Sequence, residues 1–196
     1  MDRRAVFGYA SLVNPESAAL SLGRVVKPTQ PARLEGWRRR WSTYRDNLAV
    51  EKTFALADGT IPPFVLGLNL ELDPDCPGAN GALIEISEVE ADRLDLRELR
   101  YRRADVTADV RPPEVGGSMP FDQVIAYVAR PEHHAPTPPH GAVVMAPYVR
   151  TVEAAFAALG PEHLDAYRAT TDAPPVEAVE ATLVRDRIPE GNPRRW

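Results

Sequence analysis

The sequence predicts an α+β domain built around a small, mostly antiparallel, barrel-like sheet. About six or seven short segments have the pattern of strands, few segments have helical periodicity, and strands do not alternate regularly with helices. The chain has 196 residues, of which 44% are hydrophobic, and it contains no linker long enough to separate two domains. We therefore predict a single domain at residues 1–185, followed by a tail at residues 186–196.

A loop of small residues follows the predicted first strand. The apolar segment Ala5-Val6-Phe7 leads into Gly8-Tyr9-Ala10-Ser11-Leu12, and a helical pattern begins after Asn14. Asn14 is suited to cap this helix, and Pro15 fits the first helical position, where no N–H donor is needed. Such a strand–loop–helix junction directs several backbone N–H groups to one point and suits a carboxylate or phosphate, although small-residue turns also occur for purely structural reasons.

Further strands are predicted from alternation and from turn residues. Leucines at every second position after Pro62-Pro63 predict a strand over residues 64–72. Residues 81–86 have the pattern of a shorter strand. The remaining predicted strands are 101–110, 121–129 and 176–184, with a Gly-rich loop at 114–120.

A second polar motif follows the predicted strand at 81–86. Ser87 and Glu90 form an S-x-x-E capping box, which predicts a short helix as far as about Leu94. Glu98 therefore falls just past a helix end, beside arginines at 97 and 100. A carboxylate in this place is either a solvated charge, a member of an ion pair with Arg97 or Arg100, or a catalytic group.

The C-terminal third is predicted to be helical. Apolar residues recur at helical spacing from Tyr148 to Leu159, Gly160 ends that helix, and Pro161 begins another. The preceding segment, residues 130–139, contains four prolines and is not expected to form regular structure.

Together, the two motifs resemble those of the gamma-glutamylcyclotransferase-like superfamily. In that family the first strand leads into Gly-Tyr-Gly-Ser-Leu or Tyr-Gly-Ser-Asn-Leu, to which Gly8-Tyr9-Ala10-Ser11-Leu12 is similar. Leu94-Asp95-Leu96-Arg97-Glu98 resembles the family's second motif, Leu-Asp-x-x-Glu, whose glutamate is the general acid/base. The resemblance covers roughly residues 5–171, in which residues 32–37 resemble the family's second strand, and it implies a small mixed β-barrel flanked by helices. Two departures are Ala10, where glycine is usual, and Tyr101, which follows the glutamate more closely than in many relatives.

The resemblance implies an intramolecular acyl transfer. The α-amine of an N-terminal gamma-glutamyl group attacks its own gamma-carbonyl, so that 5-oxoproline forms and an amine, amino acid or peptide leaves, a lyase- or transferase-type reaction of glutathione metabolism. Glu98 would be the catalytic residue, and residues 8–12, Tyr101 and Tyr148 would bind the substrate, without a cofactor or metal. The leaving group stays open between glutathione, a gamma-glutamyl amino acid, a gamma-glutamyl amine and a biosynthetic intermediate.

The environment of Glu98 should suit proton transfer. A general acid/base works best when its pKa lies near the working pH, and neighbouring cations lower a carboxyl pKa. We therefore expect Arg97 and Arg100 to point away from Glu98. A non-catalytic module of the same fold, binding a small anion or a gamma-glutamyl-like ligand, is the alternative that Ala10 leaves open, and a structural protein with a degenerate site is another.

The one basic stretch has three interpretations. Trp37 and Trp41 flank three consecutive arginines, so the segment is a strand surface, a basic rim that attracts an anionic small substrate, or a nucleic-acid site. In a strand, Trp37, Arg39 and Trp41 share one face, with arginine stems covering apolar surface and their charged heads in water. A net charge of −5 disfavours a polyanionic partner, so no nucleic acid is expected.

Other features narrow the class further. His133, His134 and His140 lie on an irregular segment without metal-ligand spacing, so no metal site is predicted. Cys76 is the single cysteine, which excludes an internal disulfide and agrees with a reducing compartment. No apolar run approaches the roughly 20 residues that span a bilayer, and no signal peptide is evident. We expect a cytoplasmic protein that acts on a small gamma-glutamyl compound and has no membrane partner.

Overall fold

The structure is a computed structural model that describes residues 3–26, 30–112, 119–190 and 192. Over these ranges it contains twelve strands and four α-helices, together with 3₁₀ turns at Ser11–Val13 and Pro131–His133. In chain order the elements are β1 (Arg4–Gly8), α1 (Pro15–Leu22), β2 (Gln30–Leu34), β3 (Trp37–Asp46), β4 (Lys52–Leu56), β5 (Phe64–Leu72), β6 (Ala79–Glu85), α2 (Glu88–Arg97), β7 (Tyr101–Asp105), β8 (Val110–Arg111), β9 (Gln123–Ala129), β10 (Ala142–Met145), α3 (Ala146–Leu159), α4 (Pro161–Ala169), β11 (Ala178–Val179) and β12 (Ala181–Asp186).

The strands form a curled, half-barrel arrangement of mixed sheets. One sheet has the order β7-β9-β1-β6-β2-β8, a second has β11-β10-β5-β3, and β12 pairs with β4 alone. Parallel pairing occurs between β1 and β9, β5 and β10, and β10 and β11, and the other six described pairs are antiparallel. The predicted α+β class with a mostly antiparallel sheet and flanking helices is confirmed.

The central strand β1 is buried on both faces. Phe7 packs into the main core between the sheets with Leu68 and Phe156, whereas Val6 belongs to a second cluster beneath α1 and α2 that includes Leu94. Successive side chains of a strand point to opposite faces, so β1 contributes to both clusters. The loop at residues 8–12 therefore emerges from one of the most buried segments of the molecule.

Capping residues set the helix starts as predicted. The Asn14 side chain accepts hydrogen bonds from the backbone of Glu16 and Ser17, at 2.8 and 3.2 Å, and the Ser87–Glu90 capping box is complete. Helix α2 continues three residues beyond the predicted end, so Glu98 occupies its C-cap. No helix in the described part of the chain is both long and apolar enough to cross a membrane.

Two predicted strands are each divided by a turn. The prediction of one strand at 32–37 is wrong, because the chain reverses at Gly36, whose φ of +70° suits a residue without Cβ, and continues as β3. The segment 101–110 likewise divides into β7 and β8, and the predicted strand at 176–184 is interrupted at Glu180, between β11 and β12. The short strands β4 and β10 lack clear alternation and were not predicted. Most of the predicted loop at 114–120 lies outside the described residues, as do 191 and 193–196 of the predicted tail.

The basic stretch is part of β3, and its arginines have different environments. Arg38 and Arg40 are partly exposed and are paired with acidic side chains at 2.8–3.3 Å, the partners being Glu71, Asp73 and Asp172. These ion pairs favour the strand-surface interpretation. The expectation that all the arginine heads reach water is wrong for Arg39, which is fully buried. Its aromatic and hydroxyl neighbours come from α3, α4 and the residues that follow α4. The residues near Arg39 in the sequence therefore could not predict its burial.

Candidate active site

A small cavity brings the two polar motifs together at the end of β1. Its volume is about 50 Å³, and its wall combines four strands, β1, β5, β7 and β9, with the loop after β1, the C-cap of α2 and the start of α3. The lining residues are Phe7, Tyr9, Ala10, Ser11, Leu12, Leu68, Glu98, Tyr101, Tyr127 and Tyr148. Every predicted site residue except Gly8, which ends β1 directly beneath the loop, contributes to this wall.

Glu98 enters the cavity because α2 ends in a tight turn. Its backbone N–H donates to the Leu94 carbonyl at 2.8 Å, and its own carbonyl accepts from the N–H of Tyr101 at 2.7 Å. The turn returns Tyr101 to the cavity that Glu98 faces. The short spacing between the two residues is therefore compatible with a shared site.

The Glu98 carboxyl is largely withdrawn from water, with 17% of its side chain exposed. Burial raises the pKa of Glu98, because the ionised form loses hydration, while the charges of Arg97 and Arg100 act in the opposite direction without cancelling this effect. A carboxyl group with a raised pKa exchanges protons more readily near neutral pH than an exposed one does.

The expected orientation of the two arginines is wrong for Arg97. Its Nε lies 3.0 Å from Glu98 Oε1, and only 2% of its side chain is exposed. Helical side chains lean toward the N-terminus of their helix, and this carries the guanidinium back between α1 and the Glu98 carboxylate. Arg100 instead pairs with Glu51, at 3.1 Å.

Arg97 also holds the loop and the first helix. Its Nη2 donates to Ser11 Oγ at 2.9 Å and to Ser17 Oγ at 3.2 Å, and its Nη1 donates to the Ser17 carbonyl and to Ser21 Oγ. Ser17 and Ser21 are one turn apart on the same face of α1. This arginine was not predicted as a site residue, and no local pattern marks it, because Ser11 lies 86 residues away.

Arg39 supports the same loop from the core. Its Nε donates to the Tyr9 carbonyl at 2.7 Å, its Nη2 donates to Asn80 Oδ1 at 3.0 Å, and its guanidinium lies about 5 Å from the ring centroids of Phe156 and Tyr167. Burial lowers the pKa of Arg39 to about 10, so it remains charged at neutral pH. The loop is thus fixed by one arginine at Tyr9 and by another at Ser11.

Ala10 is accommodated without positive φ. Its φ is −143°, and no non-glycine residue in the described ranges has a positive φ. The usual glycine is therefore not required here for its conformational freedom. Space is tighter at Gly81 on β6, where a Cβ would lie 2.4 Å from the Gly8 carbonyl oxygen.

The three predicted tyrosines differ in what their hydroxyls do. Tyr9 donates to the Tyr127 carbonyl at 2.7 Å, and Tyr101 donates to the Leu68 carbonyl at 2.9 Å. No hydrogen bond from the Tyr148 hydroxyl to any described residue is present. Burial raises the pKa of all three above the usual value, so they are neutral hydrogen-bond donors and not phenolates. Tyr148 has the hydroxyl that remains available to a ligand.

A hydrogen-bond network around Asp95, beside the cavity, fixes the end of α2. Tyr127 of β9 is buried and lines the cavity, and its hydroxyl donates to Asp95 Oδ1 at 2.7 Å. Arg103 Nε donates to the same oxygen at 2.9 Å. The aspartate of the Leu-Asp-x-x-Glu motif therefore ties α2 to β7 and β9, which positions Glu98 indirectly.

Nothing else in the described ranges combines these features. A larger cavity of about 290 Å³ borders Trp41, Glu71 and Asp172, but it lacks the loop and Glu98. No group of three or more histidine, cysteine or acidic side chains among the described residues is arranged to hold a metal ion.

Comparison with known proteins gives matches by structure only. No protein-family model and no curated protein sequence matches the chain. A solved structure named gamma-glutamyl cyclotransferase superposes with a TM-score of 0.60 at 13% identity, covering 91% of this chain and 95% of that chain. The chain has the gamma-glutamylcyclotransferase-like fold.

Two further solved structures share the gamma-glutamylcyclotransferase-like fold. A yeast protein described as a gamma-glutamyl cyclotransferase specific to glutathione has a TM-score of 0.54 at 13% identity, covering 87% of this chain and 98% of that one. YkqA from Bacillus subtilis has a TM-score of 0.57 at 19% identity over 90% of this chain, which spans only 57% of YkqA. These superpositions show the fold and confirm the predicted architecture. At identities this low, the reaction has to be argued from the site.

Proposed function

We propose that the protein is a gamma-glutamylcyclotransferase-type enzyme, which converts an N-terminal gamma-glutamyl group to 5-oxoproline and releases an amine. The observation that carries this proposal is the position of Glu98, a largely buried carboxyl group with a raised pKa that faces the loop at residues 8–12 across a small cavity. The shared fold adds independent support.

The reaction needs one group that moves a proton in both directions. A free α-amine has a pKa of about 7.7–8.0, so at neutral pH most substrate is ammonium and not nucleophilic. Glu98 accepts one of its protons, and the amine nitrogen attacks the gamma-carbonyl carbon to form a tetrahedral intermediate. The ring nitrogen of this intermediate still carries two protons. Glu98 returns its proton to the departing nitrogen as the carbon–nitrogen bond to the leaving group breaks, and it then takes the second proton from the ring nitrogen and passes it to the released amine or to solvent.

Binding in the reactive conformation supplies much of the acceleration. Fixing the amine close to its own carbonyl is worth roughly 7–11 kcal/mol in comparable intramolecular reactions. Ser11 and Leu12 begin a 3₁₀ turn, so their N–H groups have no acceptor within that turn and suit the α-carboxylate or the developing oxyanion. The hydroxyl of Tyr148 is a further donor. Tyr9 and Tyr101 act as walls, because their hydroxyls are held by backbone carbonyls.

The size of the cavity bears on the substrate class. A volume of about 50 Å³ holds only a few water-sized groups, so the cavity takes the reacting end of a gamma-glutamyl group and leaves no room for a large leaving group. The leaving amine must therefore extend beyond these walls, as it would in a gamma-glutamyl peptide, amino acid or amine. We further propose that the enzyme works in the cytoplasm without a cofactor, in keeping with its single cysteine.

The test is 5-oxoproline release from glutathione, gamma-glutamyl dipeptides and gamma-glutamyl amines by the purified protein. Release from at least one of them, at a rate proportional to enzyme concentration, supports the proposal and identifies the leaving group. If a compound binds, as shown by calorimetry, and no 5-oxoproline forms from any of the panel, the protein is a binding module. Ala10 does not favour that alternative, because its φ is negative and the loop does not need a glycine for a left-handed conformation.

A further inference from the structure

We propose that Arg97 is a positioning residue of this site, whose guanidinium holds the Glu98 carboxylate and the Ser11 hydroxyl in a fixed spatial relation. The inference rests on the proposed function for its kinetic consequences, but the contact itself is independent of the reaction. Arg97 is then a cation that does not contact the substrate but influences whether the Glu98 carboxyl is ionised.

All three guanidinium nitrogens of Arg97 have partners. Nε is 3.0 Å from Glu98 Oε1, Nη2 is 2.9 Å from Ser11 Oγ, and Nη1 donates to α1 at Ser17 and Ser21. With only 2% of its side chain exposed, Arg97 lies behind the cavity wall and cannot reach a ligand. Its partners are the proposed base on one side and the proposed anion-binding loop on the other.

An arginine is well suited to this task. Its guanidinium is planar, keeps its charge at any ordinary pH and presents its donors in a rigid fork, so the two partners are held at a defined angle. A lysine ammonium is a single charged centre and does not impose the same angle. A buried carboxylate that contacts such a fork loses rotational freedom, which favours one proton-transfer geometry.

Arg97 also acts on the ionisation of Glu98. The charged groups that influence this carboxyl are Arg97 and Arg100, and the neighbouring hydroxyls of Tyr9, Tyr101 and Tyr148 are neutral. Arg100 is engaged with Glu51, so Arg97 is the cation in direct contact. Removing its charge leaves the effect of burial less opposed and moves the pKa of Glu98 further upward, so less of the base is ionised at neutral pH.

The kinetic test compares Arg97→Gln, Arg97→Lys and the control Arg93→Gln. Arg93 is one turn earlier on α2 and donates to the Ser21 carbonyl at 2.8 Å, so it also contacts α1 but not Glu98 or Ser11. For Arg97→Gln we expect the acidic limb of kcat/KM to move up by about one pH unit and kcat at pH 7 to fall about tenfold or more. Arg97→Lys should keep the limb in place and still lose kcat, and Arg93→Gln should match the wild type in both.

A second readout needs no activity. The ¹³C resonance of the Glu98 side-chain carboxyl, assigned by its loss in Glu98→Gln, reports the titration directly, and its midpoint should rise in Arg97→Gln. If that midpoint and the acidic limb are unchanged and only the melting temperature falls, Arg97 is purely structural and the proposal is overturned. If the wild type releases no 5-oxoproline, the proposed function fails, while the NMR titration still decides the Arg97–Glu98 relation.

The conservative variant guards against misfolding. Should Arg97→Gln not fold, Arg97→Lys carries the test, because it keeps the positive charge and removes the fork. A fall in kcat of about tenfold with an unmoved acidic limb supports positioning by the guanidinium. Wild-type kcat in folded Arg97→Lys contradicts it.

Discussion

Arg39 donates its Nε–H to the carbonyl of Tyr9 at 2.7 Å from a completely buried position. In the described ranges its hydrogen-bond partners are the Tyr9 carbonyl, the Asn80 amide oxygen and the hydroxyls of Thr170 and Thr171, and none of them is a carboxylate. Two aromatic rings complete its surroundings. A charge held in this way is costly to bury, and here it fixes the backbone of the loop that begins the candidate active site.

Arg39→Met should therefore lower both stability and activity. The variant leaves the Tyr9 carbonyl and Asn80 without their donors, and we expect the free energy of unfolding in urea to fall by about 1–3 kcal/mol. Arg38→Met is the matched control on the same strand, because its partly exposed ion pairs are worth only about 0–1 kcal/mol. Equal losses in the two variants would show that Arg39 has no special role.

Replacing Tyr148 or Tyr9 by phenylalanine should have different effects on stability and on catalysis. Tyr148→Phe removes a hydroxyl without a partner among the described residues, so unfolding should change by less than about 0.5 kcal/mol while kcat/KM falls. Tyr9→Phe removes a buried hydrogen bond to the Tyr127 carbonyl and should cost about 1 kcal/mol. Unchanged kcat/KM in Tyr148→Phe would remove this hydroxyl from the account of substrate binding.

Glu98→Gln should stabilise the protein in a pH-dependent way. Because the folded-state pKa of Glu98 is raised, its contribution to stability is fully present below the unfolded pKa of about 4.3 and is lost as the pH rises through the folded value. The melting temperature of the variant should therefore equal that of wild type near pH 4 and exceed it at pH 7–8.

Glu71→Gln provides the control with the opposite sign. Burial alone would raise the pKa of Glu71, but hydrogen bonds from Ser42, His134 and Arg40 together lower it. Its contribution is present at neutral pH and is lost on acidification, so this variant should melt below wild type at pH 7 and approach it in acid. The same pH trend in both variants would contradict the assigned directions.

Ala10→Gly should not improve the enzyme. Since Ala10 has a negative φ, the usual family glycine is not needed for a left-handed conformation, and it increases the freedom of the unfolded chain. We expect kcat/KM within about threefold of wild type and a loss of about 0.4–1 kcal/mol in unfolding free energy. A large gain in activity would mean that the alanine side chain obstructs the cavity.

Local signals accounted for the parts of the fold that could be predicted. Asn14, the Ser87–Glu90 box and the alternating leucines of β5 act through neighbours in sequence, so their patterns specify helix starts and a strand directly. Glu98 was placed correctly beyond a helix end for the same reason. The resemblance of the two motifs then brought them into one site.

The residues that support the site could not be predicted, because their partners are distant in sequence. Arg97 contacts Ser11 because the pairing of β1 with β6 brings the loop after β1 close to α2. The Arg39 guanidinium contacts Thr170, which lies 131 positions away in the sequence. In β3 the predicted alternation is present, since Arg39 and Trp41 are buried on one face while Arg38 and Arg40 are partly exposed. Alternation alone could not show that the Arg39 guanidinium also stays inside, because its partners belong to other elements. The turn at Gly36 was not predicted, because it depends on a single residue and the neighbouring sequence has no further turn signal.

The most direct measurement of the central claim is 5-oxoproline release by wild type, Glu98→Gln and the control Glu162→Gln, with one substrate at neutral pH. Glu162 is an exposed glutamate at the start of α4, so its variant should keep wild-type turnover. We expect Glu98→Gln to remain folded and to bind the substrate but to lose turnover by at least about 100-fold. Full turnover by folded Glu98→Gln would contradict the assignment of Glu98 as the group that transfers the proton.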